Sequence, residues 1–400
     1  MAYFADTLPA GYPDRIALRI HPRTMLCATT WRVGAIADET GFDELRELCT
    51  ASDNHVSLAG GFSGAMLSLT MANRHHDSAR LASELIALFD SADDPMSIFG
   101  VMSAAMFAKM HAGEVIEARR VAQAVIDLMA DDGSKGSIPG WGMGSPLAVA
   151  LCYRAHCRAS LGDSSWRTDL KRAIAIQRDL SQAVVVIVIT YGYSVAVTNR
   201  LLLPDAAALA ETADVLCNAE KSGDDVALAL AQVASGLLLT YAAPNNHVAG
   251  IELMAKGREA QLLQRNLLSV AMVDIRTAQL KADTGDLDDA IAIAQATVKE
   301  LTNSGEILIR GAASAALVTA LLMRGRDTDV REAEAVVDQL AGAPTEPGFV
   351  LNDIWLLRLR ALLARVRSDE FSYRDFLDRY RAMAESLGFE GHMAMAEAMT

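Results

Sequence analysis

One stretch of the chain brings metal-binding and nucleophilic side chains close together. Cys152, His156 and Cys157 lie within the six residues CYRAHC. Thiolate and imidazole groups are the usual ligands of zinc, and a thiolate beside an imidazole is also a common nucleophile. On a helix, however, Cys152 and His156 share a face, while Cys157 points about 140° away from Cys152. We therefore interpret the two cysteines as small buried hydrophobic residues, and an enzyme that uses this stretch is the least favoured hypothesis.

Three other short motifs do not match known metal-binding, phosphate-binding or catalytic motifs. His75 and His76 are adjacent at a predicted turn, where neighbouring side chains rarely chelate one ion together, so we expect solvated histidines. The glycines of Gly140–Gly144 lack the lysine and Ser/Thr pair of a phosphate loop. Gly61–Gly64 lacks the second spacer residue of a nucleophile elbow and has no strand before it. We assign no catalytic, cofactor-binding or metal-binding residue and expect a protein that is not an enzyme.

Two features suggest recognition instead. Four arginines give one predicted helix a basic side, which is either a solvated face or a docking surface for an acidic neighbour: Arg358, Arg360, Arg365 and Arg367. A glycine-rich loop, 131–146, is either a tolerated surface insertion or the place where the chain bends and binds a small molecule. The second interpretation places the ligand near four aromatic residues: Trp141, Trp166, Tyr191 and Tyr193.

The clearest structural pattern is a helical hairpin at 270–301. Apolar residues recur at steps of three and four in its second half: Leu287, Ala290, Ile291, Ala294, Val298 and Leu301. Between the halves, Gly285 can close the first helix in the left-handed conformation, and Asp286 can cap the second. Asp288 and Asp289 place negative charge in the first turn, where the helix dipole favours it.

Residues that interrupt helices, mainly Gly, Asn and Pro, predict similar chain reversals along most of the sequence. They fall at Asn73, Gly113, Gly162, Leu203-Pro204, Asn245, Gly285, Gly325 and Ser368. The spacing is 40 to 43 residues, apart from one interval of 49 that contains loop 131–146. A fixed period of this length is typical of stacked supersecondary units. The sequence therefore predicts an all-α, TPR-like solenoid of about eight or nine antiparallel hairpins with a period of about 40 residues.

Composition supports a helical protein without nucleic-acid or membrane partners. The formal charge is −14, so a phosphate-neutralising surface is not expected to dominate. Hydrophobic residues make up 52% of the chain but aromatic residues only 6%, which suits closely packed helices. Prolines lie between the predicted helices rather than inside them. There is no secretory signal at the start, and the longest apolar run, 183–197, is too short to span a bilayer. Five scattered cysteines fit a reducing cytoplasm.

The ends of the chain and one internal run need separate interpretation. We predict an irregular lead-in at 1–22, the solenoid at 23–388, and a short capping helix at 389–400. The first hairpin is drawn from Met25 to Cys49, with a turn at 38–41. The β-branched run 184–189 resembles a strand, but its place in the pattern predicts a helix.

Several blocks resemble a known family: HPRTMLCATTW from His21, ETGFDELRELC from Glu39, KADTGDLDDAI from Lys281, LLRLRALLAR from Leu356 and YRDFLDRYRAMAESLGFEGHMAMAEAM from Tyr373. They are similar to the C-terminal helical-repeat region of mycobacterial and related actinobacterial signalling proteins. In those proteins the repeats follow a class III adenylate or guanylate cyclase domain and a signal-transduction ATPase, and some relatives end in a LuxR-type helix-turn-helix. No position here matches the catalytic motifs of the cyclase or the ATPase.

The resemblance implies a sensor or interaction arm, and two hypotheses follow. The first is a non-catalytic scaffold that binds a protein or peptide and regulates a cyclase or ATPase partner. The alternative is a small-molecule-sensing repeat domain of a transcriptional regulator or signalling ATPase. Neither hypothesis requires a cofactor or a metal.

Overall fold

The computed structural model describes residues 2–34, 40–97, 99–132, 145–178, 186–242 and 247–399. These residues are 82% helical, and no strand occurs among them. The prediction of an all-α protein is therefore confirmed. Val186–Thr198 is helical, so tertiary burial overrides the β propensity of this run. Residues 184 and 185 lie outside the described ranges.

Twenty helices, numbered in chain order, occur in the described ranges. They are α1 Ala2–Asp6, α2 Arg15–Thr29, α3 Phe42–Ser52, α4 His55–Met71, α5 His75–Ser91, α6 Met102–His111, α7 Val115–Asp132, α8 Pro146–Ser160, α9 Trp166–Arg178, α10 Val186–Thr198, α11 Ala206–Ser222, α12 Asp225–Ala242, α13 His247–Leu263, α14 Leu267–Asp283, α15 Leu287–Ser304, α16 Arg310–Arg324, α17 Asp327–Ala341, α18 Val350–Val366, α19 Glu370–Leu387 and α20 Glu390–Glu397. Short 3₁₀ turns follow α2 at Thr30–Val33 and precede α6 at Pro95–Ser97 and Phe99–Val101.

The helices pack as neighbouring pairs, which is consistent with a helical repeat. Seven predicted reversals fall in the connection within such a pair: Asn73, Gly113, Gly162, Leu203-Pro204, Gly285, Gly325 and Ser368. The eighth, Asn245, lies outside the described residues. Breaker residues therefore located the connections correctly, because most of these reversals need the left-handed backbone that Gly and Asn tolerate.

The hairpin of α14 and α15 has the predicted turn but not the predicted cap. Gly285 adopts φ +85°, as the closing of α14 requires. Asp286 occupies the N-cap position of α15 without a side-chain cap bond, and its carboxylate accepts from Lys281 at 2.5 Å instead. The prediction of an Asp286 side-chain cap is therefore wrong, because a nearby cation competes for the same oxygen.

The N-terminal predictions also need correction. Segment 1–22 is not irregular throughout, since α1 and the first half of α2 lie in it. Pro22 lies inside α2, so proline does not only separate helices. The first helix of the first hairpin is α2, which runs from Arg15 to Thr29 rather than from Met25 to Ala37. Residues 35–39, which include positions 38 and 39 of the predicted turn, lie outside the described ranges. The helix predicted from Phe42 is confirmed and buries Phe42, Leu45 and Cys49.

The first helix of most pairs is buried nearly all round, whereas the second exposes one face. All ten residues of α6 are buried, while α5 and α15 bury only one stripe. Helix α12 alone in the described ranges is long and apolar enough to cross a membrane, yet 61% of it is buried against other helices. That burial is typical of a core helix.

The N-terminal half of the chain packs on the C-terminal half. Among the described residues, eight side-chain hydrogen bonds join residues more than 100 positions apart, and their sequence separations fall into two groups, 187–195 and 221–230. The chain therefore returns to itself after about half its length.

Close helix contact near the N-terminus provides the first testable prediction. A Cβ atom on Gly64 would lie 1.9 Å from the carbonyl oxygen of Cys27 and 2.7 Å from Cα of Ala28. Gly64→Ala should therefore force α4 away from α2 and lower the free energy of unfolding by about 1–3 kcal/mol in urea denaturation. Gly11→Ala is the control, because no atom lies within 4 Å of its Cβ. Equal stability of the two variants would contradict the close contact.

Candidate functional site

The structure buries the cysteine and histidine residues that first suggested chemistry. Cys152, His156 and Cys157 are each at most 2% exposed in the core around α8. Burial raises the pKa of Cys152 to about 12, raises that of Cys157 further, and lowers that of His156 to about 3. All three are neutral at ordinary pH. Within the described residues no group of three or more His, Cys, Asp or Glu side chains could hold a metal ion.

The histidine pair at the α4–α5 connection divides between two environments. His75 is fully buried and stacks on His111 at a ring distance of 5.7 Å, so the prediction of a solvated histidine is wrong for it. His76 packs beside Gly305, on the other half of the chain. The connection is therefore part of the interface between the halves rather than a free surface turn.

The aromatic residues proposed as a ligand site do not converge. Trp166 packs on Phe389, with ring centroids 6.1 Å apart, whereas Tyr193 donates to Glu211 at 2.5 Å. Tyr191 points into a separate interior cluster with His111. Trp141 and residues 133–144 of the glycine-rich loop lie outside the described residues. The described part of this prediction is not supported, since three aromatic side chains have three different partners.

The four arginines of α18 do not form one basic face. Arg365 and Arg367 are exposed, and Arg367 forms an ion pair with Glu334. Arg358 instead lines a partly open cavity. Successive residues of a helix are about 100° apart, so Arg358 and Arg365 lie on one side while Arg360 and Arg367 lie on nearly the opposite side.

A buried chain of hydrogen bonds joins the two halves. His111, at the end of α6, lies 3.0 Å from Oε1 of Glu306 through Nδ1 and bonds to the hydroxyl of Tyr191 through Nε2. Glu306 also accepts the backbone N–H of Leu308 at 2.8 Å and of Ile309 at 3.0 Å. His111 and Glu306 are both 0% exposed, so the cluster connects helices rather than meeting a substrate.

A groove of about 820 Å³ lies between α13 and α15, with α14 forming most of its floor. Its floor is formed by Met254, Val273 and Leu280, which are at most 8% exposed. The walls are mostly small or apolar side chains: Ile251, Ala255, Ala292, Ile293 and Ala296. Ile251 is 45% exposed. An open, apolar site of this volume is suited to an apolar ligand or to the apolar face of a partner helix.

Ion pairs mark the two ends of the groove. At one end, Arg258 donates to both carboxylate oxygens of Asp274, at 2.6 and 3.0 Å. At the other, Lys281 bonds to Asp286 at 2.5 Å and to Asp289 at 2.9 Å. The floor residues between Val273 and Thr284 span about 16 Å at 1.5 Å per residue. The part of the groove formed by α14 is thus as long as about three turns of helix.

Three glycines explain why the groove opens beside α13. A Cβ atom on Gly236 of α12 would lie 2.8 Å from the carbonyl oxygen of Gly250, and one on Gly257 would lie 2.9 Å from the backbone nitrogen of Val233. Helices α12 and α13 therefore pack backbone to backbone. We infer that this contact draws α13 towards α12 and leaves space in front of α15.

The groove was not recognised from the sequence, although a signal was present. Gly250 and Gly257 are seven residues apart and so share one face of α13, opposite Gly236. Such spacing of small residues indicates that two helices pack closely. Whether a gap opens on the far side of α13 depends on the position of the next helical pair, α14 and α15.

Comparison with known proteins adds no assignment: no protein-family model matches this chain, and no curated protein matches it.

Proposed function

We propose that this chain is a non-catalytic, TPR-like α-solenoid of eight or nine hairpins, with a period of about 40 residues, that binds an amphipathic helix of a protein partner. The reversals at 73, 113, 162, 203, 285, 325 and 368 support the period.

The observation that carries the binding proposal is the apolar groove. A helix is the occupant that we favour, because the groove is open, extends about 16 Å along α14 and ends in ion pairs that can exchange with charges on the partner. Apolar residues of a partner helix at steps of three and four would cover Val273 and Leu280. The buried His111–Glu306 cluster supports the absence of catalysis in this proposal, because it has no exposed atom.

The partner class that we propose is a protein with a nucleotide-cyclase or signalling-ATPase domain, located in the cytoplasm. This part rests on the resemblance of the blocks from His21, Glu39, Lys281, Leu356 and Tyr373 to the repeat regions of such proteins. The groove would then act as a docking arm that changes the activity of the partner. The alternative, small-molecule sensing, is favoured by a separate cavity lined by three arginines.

Photo-crosslinking tests the groove. With p-benzoylphenylalanine in place of Ala255, which is exposed and lines the groove, we expect capture in the host cell of an amphipathic helix from a cyclase- or ATPase-containing protein. Ile251→Glu should reduce the crosslinked product by at least about tenfold, since it places a charge against the apolar helix face. The product and the attachment site are measured by mass spectrometry.

Val248→Glu is the matched control, because Val248 is on the same helix, is 73% exposed and is not among the groove residues. It should leave the yield unchanged. Equal yields from Ile251→Glu and Val248→Glu would exclude the groove as the binding site. Capture of a helix from another class of protein would retain the groove and reject the proposed partner class.

A further inference from the structure

Three arginine side chains line one partly open cavity of about 150 Å³. Arg200 follows α10, Arg276 belongs to α14 and Arg358 to α18. Asp283 is the one carboxylate among the described residues that line this cavity. The lining therefore carries two more positive than negative groups, in a protein whose formal charge is −14. Concentrated positive charge inside an acidic protein requires a physical explanation.

These guanidinium groups have no carboxylate partner. In the described part of the chain, none of the three forms an ion pair. Oε1 of Gln279 accepts from both Arg200 and Arg276, each at 3.3 Å. The same two guanidinium groups stack on the ring of Tyr241, at 4.3 and 4.4 Å from its centroid. Neutral groups thus contact these guanidinium groups where an anion usually pairs with an arginine that is removed from solvent.

Several donors at the cavity remain without an acceptor. Nε of Arg200, Nε of Arg358 and Nε1 of Trp355 are buried with no hydrogen-bond partner among the described residues. Arg358 has one long bond, from NH1 to Oγ1 of Thr319 at 3.3 Å. Burial lowers the pKa of Arg358, and the charge of Arg200 lowers it further. A guanidinium stays protonated even so, and unmet buried donors cost free energy that an anion would recover.

We propose that this cavity binds a phosphate group, supplied either as inorganic phosphate or as the phosphate of a nucleotide. Arginine donates two parallel N–H bonds to phosphate, and the excess of two positive charges matches a phosphate dianion. A volume of about 150 Å³ holds one phosphate group but not a whole nucleotide. The site shares only Asp283 with the residues that line the helix-binding groove, and it would make the chain responsive to a small anion.

The position of the cavity indicates what binding would do. Met395 of α20 and Arg200 lie on its wall together with residues of α14, α16 and α18. The backbone N–H of His392 donates to the carbonyl of Arg200 at 3.2 Å, so the cavity lies where the end of the chain contacts its middle. A bound phosphate would therefore join the two halves and stabilise their contact.

Calorimetric titration and thermal unfolding of the full chain test the proposal. Inorganic phosphate should bind and raise the melting temperature, whereas sodium chloride at the same ionic strength should not. Tighter binding of AMP than of inorganic phosphate would identify a nucleotide as the source, and the reverse order would identify the free anion. No response to either, or an equal response to succinate, would overturn the phosphate site.

Arg358→Met separates a ligand site from a structural role. It removes one of three like charges, so the melting temperature without phosphate should stay equal or rise, while the Kd for phosphate should increase at least about tenfold. Arg365→Met is the control, because Arg365 is an exposed arginine of the same helix that does not line the cavity, and it should leave both quantities unchanged. Arg200→Met provides a second variant if Arg358→Met does not fold. Loss of stability with unchanged phosphate affinity would show that the arginines are structural.

Discussion

Lowering the pH from about 7 to about 5 is expected to destabilise this protein by about 2 kcal/mol for each of three buried histidines. Burial lowers the pKa of His156 and His392 to about 3 and that of His75 well below its usual value. In the unfolded chain each titrates near 6.5. Below that pH the unfolded state binds more protons than the folded state, so the stability present above pH 6.5 is lost as the pH falls.

The surroundings of these histidines reinforce the effect. Besides burial, His111, His76 and Arg310 lower the pKa of His75, and Arg358 and Arg200 lower that of His392. All of them disfavour a further positive charge. The neutral ring of His392 is also fully bonded: Nε2 donates to the carbonyl of Asn199 at 3.1 Å, and Nδ1 accepts from the hydroxyl of Tyr380 at 2.9 Å.

Urea denaturation at the two pH values measures this loss, and His75→Leu isolates one contribution. Neither ring nitrogen of His75 has a hydrogen-bond partner among the described residues, so the leucine variant loses no such bond. It should reduce the difference between the two pH values by about 2 kcal/mol. His55→Asn, at an exposed position, should not change it. Equal stability at both pH values would show that the buried rings are protonated in the folded state.

Replacing Glu306 by alanine should lower the free energy of unfolding by about 3–5 kcal/mol, because it removes one partner of a fully buried polar pair. The substitution leaves His111 without its 3.0 Å contact and removes the acceptor of the N–H groups of Leu308 and Ile309. Urea denaturation followed by far-UV circular dichroism gives the value. Glu306→Gln keeps one acceptor oxygen and should cost less.

Glu370→Ala is the control, since Glu370 is exposed at the start of α19 and pairs only with Arg374 in the described structure. Its cost should stay below about 0.5 kcal/mol. A loss of similar size in Glu306→Ala would mean that water replaces the bonds of the interior cluster. The comparison also tests how strongly the halves depend on each other, because Glu306 precedes α16 while its partner His111 ends α6.

The sequence by itself determined the local architecture. Gly113, Gly162, Gly285 and Gly325 lie in helix connections at positive φ, as their position between apolar periodic segments indicated. These signals are readable because a helix end and its left-handed residue depend on a few adjacent side chains. The exceptions have equally local causes that compete, such as Lys281 taking the carboxylate of Asp286 from its cap.

Only the tertiary structure decided where function could lie. Arg358 looked like one member of a surface row, but the return of the chain after about half its length places it beside Arg200 and Arg276. His75 looked solvated, but the other half of the chain covers it. We infer that the groove arises because glycines on α12 and α13 let these two helices approach closely, which leaves a wide gap between α13 and α15. Such contacts join residues far apart in the chain, so they depend on how the helical pairs wind, which no short stretch of residues encodes.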